Sequence, residues 1–361
     1  LKYLNQEYKS VVSKLFNKIS IVILFLLICV GALFLMQTSS QAEDCHTIDG
    51  KIVTSTNDTP VSHNGGTDYD KDNCSKEPLF YKVKFYEVIL CSADPFVAGS
   101  GDTGANPDFT GCTNSIFSDA TGKDIVIEPG KAANLLDEGL ELTIGTYPFA
   151  AIVVSNHLGI KHYESFVDTS GNAETAIKGY NTAQNTASAG NICWSVENKA
   201  TTYTNTSAGT HNSLAYTSPS PTDFRTSTMA CGTTLGATHT YGYAYEIIDS
   251  IDDTCDNTND CDSTFRPYTV YAADDTVEGE FAATLLQSNG TTVGSNRGNS
   301  VKLGYFLKFD TPLTITEDTI SFEMKFTTST SVSVDFHGNS DMQVSKVGAN
   351  PFGVKFVIGN R

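Results

Sequence analysis

Residues 79–90 read LFYKVKFYEVIL, and this stretch decides the fold class of the chain. One of its faces is apolar apart from Glu87 and consists of Tyr81, Val83, Phe85 and Ile89. The opposite face mixes apolar residues with two lysines and consists of Phe80, Lys82, Lys84, Tyr86, Val88 and Leu90. A period of two residues over this length predicts a β-strand with one well-buried side.

Alternation of the same kind recurs along the chain, whereas helical periodicity is nearly absent after Ala42. Further predicted strands cover residues 125–127, 140–144, 147–154, 240–248, 268–272, 281–286, 301–309, 320–326, 332–336 and 352–358. Gly, Pro, Asn and Asp separate these short strands, as in proteins built from antiparallel sheets. We therefore predict an all-β fold, an immunoglobulin-like antiparallel β-sandwich with long disulfide-pinned loops.

The N-terminal segment has the pattern of an export signal. Lysines outnumber acids in residues 1–18, and residues 19–36 form an apolar run, predicted to be a hydrophobic helix. The small-residue exit Ser40-Gln41-Ala42 follows this run. A secretory signal peptide cleaved after Ala42 fits this pattern, and an uncleaved membrane anchor at residues 19–36 is the alternative.

The cysteines indicate the compartment in which the protein folds. Of nine cysteines, Cys29 lies in the apolar run, and the other eight are Cys45, Cys74, Cys91, Cys112, Cys193, Cys231, Cys255 and Cys261. An even number beyond an export signal predicts disulfides and a secreted or cell-surface protein. Chain order suggests pairing of consecutive cysteines, but many connectivities remain open, and the short Cys255–Cys261 loop is the best-supported bridge.

Domain organisation allows two interpretations. Residues 43–361 form one elaborated sandwich with a polar insertion at about 168–238, or two β domains at 43–167 and 239–361. Cys193 and Cys231 lie in the polar stretch and favour an insertion held by a bridge, because a free linker needs no crosslink.

Two segments resemble a known family. The residues Asn134-Leu135-Leu136, Gly145-Thr146-Tyr147 and Ile152-Val153-Val154 resemble the leucine pair, G-T-Y and apolar strand of prealbumin-like β-sandwich modules in exported bacterial proteins. Residues 309–315 and 319–322 are similar to the closing strands of those modules. The resemblance covers about residues 79–336 and implies an exported sandwich. It transfers no catalytic residues.

The formal net charge of −18 limits the classes of partner. An acidic surface repels phosphate backbones, so we expect no binding to nucleic acid. Anionic membrane surfaces are disfavoured for the same reason, which leaves residues 19–36, if uncleaved, as the predicted membrane contact. The acidity also serves as a solubility device for an extracellular protein.

An acidic loop is the predicted metal site. The side chains of Asp256, Thr258, Asp260 and Asp262 alternate in a loop partly closed by Cys255 and Cys261. Oxygen ligands at every second position can converge on Ca²⁺, although the EF-hand pattern is not satisfied. A solvated acidic turn is the alternative interpretation, and no other cofactor is predicted.

Two aromatic patterns suggest binding or assembly. Tyr241, Tyr243 and Tyr245 share one face of a predicted strand, where they stack on sugar rings or pack across strands. The C-terminal alternation consists of Phe352, Val354, Phe356 and Ile358. It forms either the last strand of the fold or a strand supplied to a neighbouring subunit.

Other motifs fail their structural requirements. Residues 99–104 match G-x-G-x-x-G, but Pro107 follows, where a dinucleotide site needs a helix. His157, His162 and Glu164 are close in sequence, but a five-residue offset on one strand puts the two histidines on opposite faces.

The sequence therefore predicts a non-catalytic, exported structural subunit at the cell surface: a filament, surface-layer or adhesive protein. Its expected partners are copies of itself or other surface proteins. A calcium-dependent carbohydrate-binding module is the alternative. A polysaccharide hydrolase using two carboxylates is the third hypothesis, because the chain is rich in acids.

Overall fold

The structure, a computed structural model, describes residues 44–54, 73–99, 104–133, 135, 142–179, 189–196, 202–205, 209–215, 229–237, 239–248, 251, 267–273, 278–336, 343–349 and 352–361. The chain divides into two compact units, Leu1–Gln41 and Ala42–Arg361, and the described residues all belong to the second. The helix and the signal or anchor predicted for residues 1–42 lie outside them. Within the described segments, no helix is long and apolar enough to cross a membrane.

Strands are the predominant element among the described residues. In chain order the strands are β1 Thr47–Ile48, β2 Lys51–Val53, β3 Asn73–Lys76, β4 Phe80–Cys91, β5 Cys112–Ile127, β6 Gly145–Ser155, β7 His157–Lys161, β8 Tyr163–Val167, β9 Lys178–Gly179, β10 Ile192–Ser195, β11 Thr202–Asn205, β12 Gly209–Ala215, β13 Met229–Gly232, β14 Ala244–Ile247, β15 Tyr268–Ala273, β16 Glu280–Leu286, β17 Lys302–Ile315, β18 Thr319–Thr327, β19 Val332–Phe336, β20 Gln343–Ala349 and β21 Gly353–Asn360. The helical element among the described residues is one 3₁₀ turn, Arg297–Asn299. The all-β prediction is confirmed.

The largest sheet, called the main sheet below, contains eight strands. β4 pairs with β5 along one edge and with β6 and β7 along the other. From β6 the sheet continues through β17 and β16 to β15, and β14 pairs with β7. All of these pairs are antiparallel, and they join strands from both sides of the polar stretch 168–238 in one sheet.

β4 contains a bulge that reverses its alternation. The register with β5 and β6 shifts between Phe85 and Glu87. The inner face of β4, which lies in the main core, carries Tyr81, Val83, Phe85, Val88 and Leu90. Ile89 lies in a separate cluster with Cys91, on the outer face. The prediction that Ile89 shares a face with Tyr81 is therefore wrong, because one extra residue exchanges the two faces beyond it.

The inner face of the main sheet packs against the smaller sheets. Its aromatic contacts with the β18–β21 pair have ring-centroid distances of 5.9 Å for Phe85–Phe326, 5.4 Å for Tyr81–Phe352 and 5.8 Å for Phe309–Phe356. The sheet β3-β19-β20-β9 contributes Val334, and the sheet β1-β2-β8-β10-β13 contributes Phe166. Full burial of a valine or phenylalanine side chain stabilises a fold by about 1.5–3 kcal/mol.

One end of the outer face is covered by the chain itself, and we call it the covered end. In the loop 92–111, of which the structure describes residues 92–99 and 104–111, Phe96 and Phe109 lie against Phe306 of β17, with ring centroids 5.6 and 6.2 Å apart. Tyr271 of β15 also contacts Phe96, at 5.4 Å. These rings exclude water from this half of the outer face.

Three disulfides connect the described strands and loops. They join Cys45 to Cys74, Cys91 to Cys112 and Cys193 to Cys231, which are the pairs that chain order suggests. Cys255 and Cys261 lie outside the described residues. Disulfides within one chain are typical of proteins that fold in an oxidising, extracytoplasmic environment.

Two regions differ from their predicted structure. Residues 142–144 do not form a strand, because the hydrogen bonds of the Thr143 backbone go to a side chain. The amide of Asn114 donates to the Thr143 carbonyl and accepts from the Thr143 N–H, at 3.3 Å each. The polar stretch 168–238 contains core strands despite its weak pattern. Trp194 of β10 and Met229 of β13 are buried there, and both strands belong to the five-stranded sheet.

Candidate functional site

The predicted calcium ligands cannot be placed. Asp256, Thr258, Asp260 and Asp262 lie outside the described residues, together with Cys255 and Cys261. In the part of the chain that the structure describes, no group of three or more His, Cys, Asp or Glu side chains is arranged to hold a metal ion.

His162 and Glu164 form a buried pair in the wall of a cleft of about 510 Å³. His162 Nε2 lies 2.7 Å from Glu164 Oε1, and the backbone N–H of Leu79 donates to His162 Nδ1 at 3.3 Å. Because Nδ1 accepts, the proton of the neutral ring resides on Nε2 and is donated to the carboxylate. Lys76 Nζ lies 3.7 Å from the same carboxylate oxygen.

This arrangement gives His162 a structural role. Both ring nitrogens are used, so neither can accept a proton from a neighbouring hydroxyl without breaking an existing hydrogen bond. His157 does not join the pair but lines a different cleft. The structure therefore places His157 apart from the His162–Glu164 pair.

The glycine-rich loop packs against an aromatic residue. The hydroxyl of Tyr268 donates to the carbonyl of Gly99 at 3.2 Å. A side chain at Gly104 would meet the Tyr268 ring at 3.1 Å, so this glycine allows a close approach. Residues 105–109, which follow the motif, are not helical, and a dinucleotide site therefore lacks its helix N-terminus.

The tyrosine series is divided between two places. The strand predicted at 240–248 is shorter, Ala244–Ile247, so Tyr241 and Tyr243 precede it. Tyr241 contacts Tyr163 at 5.9 Å, and burial raises its pKa to about 12. Its hydroxyl is buried without a hydrogen-bond partner in the described structure. Tyr243 and Tyr245 contact each other, with centroids 6.3 Å apart. The predicted single ladder is therefore wrong, because only Tyr245 is on a strand.

The C-terminal strand completes the fold of its own chain. β21 pairs with β18, and the apolar residues of this segment, Phe352, Val354, Phe356 and Ile358, all belong to or pack against the main core. Donating this strand to a neighbour would remove Phe352 and Phe356 from their own core. The structure agrees with the interpretation as the last strand of the fold.

The outer face of the main sheet also has an open end, a cleft of about 600 Å³ that we call the lysine groove. Its charged, titratable and aromatic lining residues are Lys82, Lys84, Tyr86, Asp124, His157, Tyr245 and Lys302. Three lysines and one aspartate thus line a cleft in a chain of formal net charge −18. The lining of the lysine groove is therefore positively charged, although the protein as a whole is acidic.

Lys82 is held firmly in the lysine groove. Its Nζ donates to Tyr245 Oη at 3.3 Å and lies 2.9 Å from Asp124 Oδ2. It also lies 5.8 Å from the ring centroid of Tyr243. Burial opposes the charged form, but the hydrogen bonds with Asp124 and Tyr245 outweigh it, and the pKa of Lys82 is raised.

The position of Tyr245 depends on a glycine. Tyr245 and Lys82 are the cross-strand neighbours of Gly159 on its two sides. A Cβ at Gly159 would lie 2.9 Å from the Tyr245 ring and 3.1 Å from Lys82 Cβ. The missing side chain therefore lets the Tyr245 ring lie directly on the sheet.

Lys302 occupies the other side of the lysine groove. Its Nζ lies 3.9 Å from the ring centroid of Tyr86, which is a cation–π contact. Burial lowers the pKa of Lys302, and the charge of Glu87 only partly opposes this effect. Lys84 lies 3.8 Å from Asp124 Oδ1, and its side chain is 40% exposed. Lys84 and Lys302 are therefore less tightly paired than Lys82.

Sequence reasoning missed the lysine groove as a site. Its signal was the pair Lys82 and Lys84 on the solvent side of a long strand, in a chain with few basic residues. Lys302 and Tyr245 are far away in sequence, and only strand pairing brings them to the same face.

Comparison with protein-family models, with curated proteins and with solved structures finds no match.

Proposed function

We propose that this protein is a non-catalytic, exported structural or adhesive subunit of the cell surface, with a β-sandwich fold of prealbumin-like type. The packing of side chains from the smaller sheets against the inner face of the main sheet supports the sandwich, and the three disulfides support folding outside the cytoplasm.

The observation that carries the proposal is the open edge of the main sheet at β15. This strand pairs with β16 on one side, and none of the described strands pairs with its other side. Val270 on β15 is 54% exposed. An edge strand with an exposed apolar side chain favours addition of a strand from another chain. Such an edge supports the proposed self-association of subunits.

Sedimentation velocity and electron microscopy of the purified protein over a range of concentrations test this proposal. We expect assembly that increases with concentration, and we expect Val270→Lys to reduce it, because charge at an edge blocks strand addition. Ile144→Lys is the matched control, since Ile144 is 59% exposed but not in a strand. Monomers at all concentrations, or equal effects of both substitutions, contradict the proposal.

A carbohydrate-binding module is the second candidate function, and the lysine groove favours it. The groove presents the Tyr245 ring beside hydroxyl and ammonium groups, and its volume of about 600 Å³ is in the usual range for ligand sites. Binding of oligosaccharides, measured by isothermal titration calorimetry, tests it. Absence of binding to any oligosaccharide rejects it.

Calcium dependence belongs to this second candidate and is tested separately. If Asp256, Asp260 and Asp262 hold Ca²⁺ in the folded protein, Ca²⁺ raises the thermal unfolding midpoint and a chelator lowers it. Asp260→Asn is expected to abolish the shift. An equal midpoint with Ca²⁺ and with chelator contradicts a calcium site.

A further inference from the structure

The lysine groove has an excess of positive charge, whereas the chain as a whole has an excess of negative charge. Lysines outnumber carboxylates among its lining residues, whereas the whole chain has 41 acids and 23 basic residues. The acidic remainder of the surface is screened beyond about 8–10 Å at physiological ionic strength. A ligand inside the groove therefore interacts mainly with the local lysines.

The cations differ in their capacity for a further partner. Each ammonium group has three N–H donors. Lys82 already engages Asp124 and Tyr245, whereas Lys302 rests on the ring of Tyr86. Lys84 lies at the longer distance of 3.8 Å from Asp124. An anionic group in the groove would satisfy donors of Lys84 and Lys302.

The neutral part of the groove suits a hydroxylated ring. Tyr245 packs over Gly159 and offers apolar area with a hydroxyl group. Thr121, Ser155 and Ser288 also line the groove and supply hydroxyl groups. A sugar ring needs both kinds of contact, an apolar surface and hydrogen-bonding partners, which a simple inorganic anion does not use.

We propose that the lysine groove binds an acidic saccharide, with its carboxylate held by Lys84 and Lys302 and its sugar ring against Tyr245. This inference rests on the second candidate function and names the class of its ligand. It predicts a preference for carboxylated over neutral sugars of the same ring structure.

Isothermal titration calorimetry with two matched probes tests the charge preference directly. The probes are an oligogalacturonate and the same oligosaccharide with its carboxylates methyl-esterified. We expect the esterified form to bind at least about tenfold more weakly, because charge-assisted hydrogen bonds are lost while the ring remains. Raising the salt concentration is expected to lower the affinity for the acidic probe and to leave the affinity for the esterified probe unchanged.

Substitutions assign the binding to the groove. Lys84→Gln and Lys302→Gln are each expected to lower the affinity for the oligogalacturonate about tenfold. Lys308→Gln is the matched control, because Lys308 lies on the same strand as Lys302 but pairs with Glu280 at 2.6 Å, and it does not line the groove. The control is expected to change affinity less than twofold, and thermal unfolding verifies that all variants fold.

Each contrary result has a distinct meaning. Equal binding of both probes overturns the acidic-ligand inference but leaves carbohydrate binding intact. Binding of inorganic phosphate as tight as that of the oligogalacturonate overturns it in favour of a small-anion site. Equal loss in the Lys308→Gln control places binding elsewhere and overturns it. Absence of binding to any probe rejects both this inference and the carbohydrate function, while assembly is decided by sedimentation.

Discussion

The covered end and the lysine groove lie on the same outer face of the main sheet and share strands, but they differ in water access. β17 contributes Phe306 to the covered end and Lys302 to the lysine groove, four residues earlier and on the same face. At the covered end the loop 92–111 excludes solvent, whereas the groove stays open. The comparison teaches that the chain's own loops, rather than the strands, decide which part of this face becomes core and which remains a surface for binding.

The covered end and the lysine groove also differ in the cross-strand neighbours of their β17 residues. Phe306 lies between Ala282 and Ala151, two small residues that leave room for its ring and for the loop aromatics above it. Lys302 lies between Leu286 and Ser155. Large side chains beside small ones interdigitate well in a dry layer, while a lysine keeps its ammonium group in water.

The largest expected effect breaks the covered end. Phe306→Ala is predicted to lower the free energy of unfolding by about 3–5 kcal/mol, because a fully buried ring leaves a cavity. Lys302→Ala, on the same face of the same strand, is predicted to cost less than about 1 kcal/mol. Chemical denaturation of both variants with disulfides intact measures the difference. Similar losses would show that the two ends are equally part of the core.

Removal of the disulfide that closes the loop comes next. The double substitution Cys91→Ala and Cys112→Ala is predicted to cost about 3 kcal/mol, as expected for cysteines separated by 21 residues. It should also speed proteolytic cleavage within loop 92–111. The control removes Cys45 and Cys74, separated by 29 residues, with a similar loss of stability but without faster cleavage of that loop. Equal cleavage in both variants contradicts this role of the bridge.

An intermediate effect concerns the floor of the lysine groove. Gly159→Ala places a methyl group 2.9 Å from the Tyr245 ring, so the ring must move away from the sheet. We predict a loss of about 1–3 kcal/mol, together with weaker binding of the groove ligand. Gly130→Ala is a contrasting control, because nothing lies within 4 Å of its added Cβ and its φ of +67° costs backbone strain alone. Unchanged ligand binding in Gly159→Ala would show that Tyr245 has no part in it.

The smallest effect sharpens the boundary between the two ends, where Glu87 lies at the bulge of β4. Burial raises the pKa of Glu87 above its ordinary value of 4.5, and Lys302 only partly opposes this shift. A raised folded-state pKa means that the ionised carboxylate destabilises the fold above that pKa, and that this cost is absent below the unfolded value.

Glu87→Gln is therefore predicted to stabilise the protein at neutral pH by less than about 1 kcal/mol, after screening by solvent. The gain should disappear as the pH falls below about 4.5, the ordinary value. Denaturation at several pH values measures it, with Glu323→Gln as the control, because the Glu323 side chain on β18 is exposed. A gain that persists at low pH would have another cause.

Much of the strand content is predictable because local alternation records burial. Residues 79–90 and 147–154 correspond to β4 and β6, and 301–309 to the first part of β17. The bulge of β4 escapes prediction, since nothing local marks an extra residue within an apolar run. β10 and β13 escape it because short strands in a polar stretch carry too few residues for a pattern.

A site escapes prediction from the sequence where several distant segments meet. The disulfide pairs follow chain order, and the acidic loop at residues 255–262 remains a prediction. The lysine groove joins β4, β14 and β17, so no spacing in the sequence connects Lys84 with Tyr245 or Lys302.

Composition and short-range periodicity are enough to establish the β-rich class of the protein, its excess of acidic residues and the cysteines available for crosslinking. Tertiary structure alone decided which half of the outer face is dry, since that depends on where loop 92–111 folds back onto the main sheet. It also brought Lys82 and Lys84 of β4 and Lys302 of β17 into one groove, because cross-strand neighbours are set by register and bulges rather than by distance along the chain.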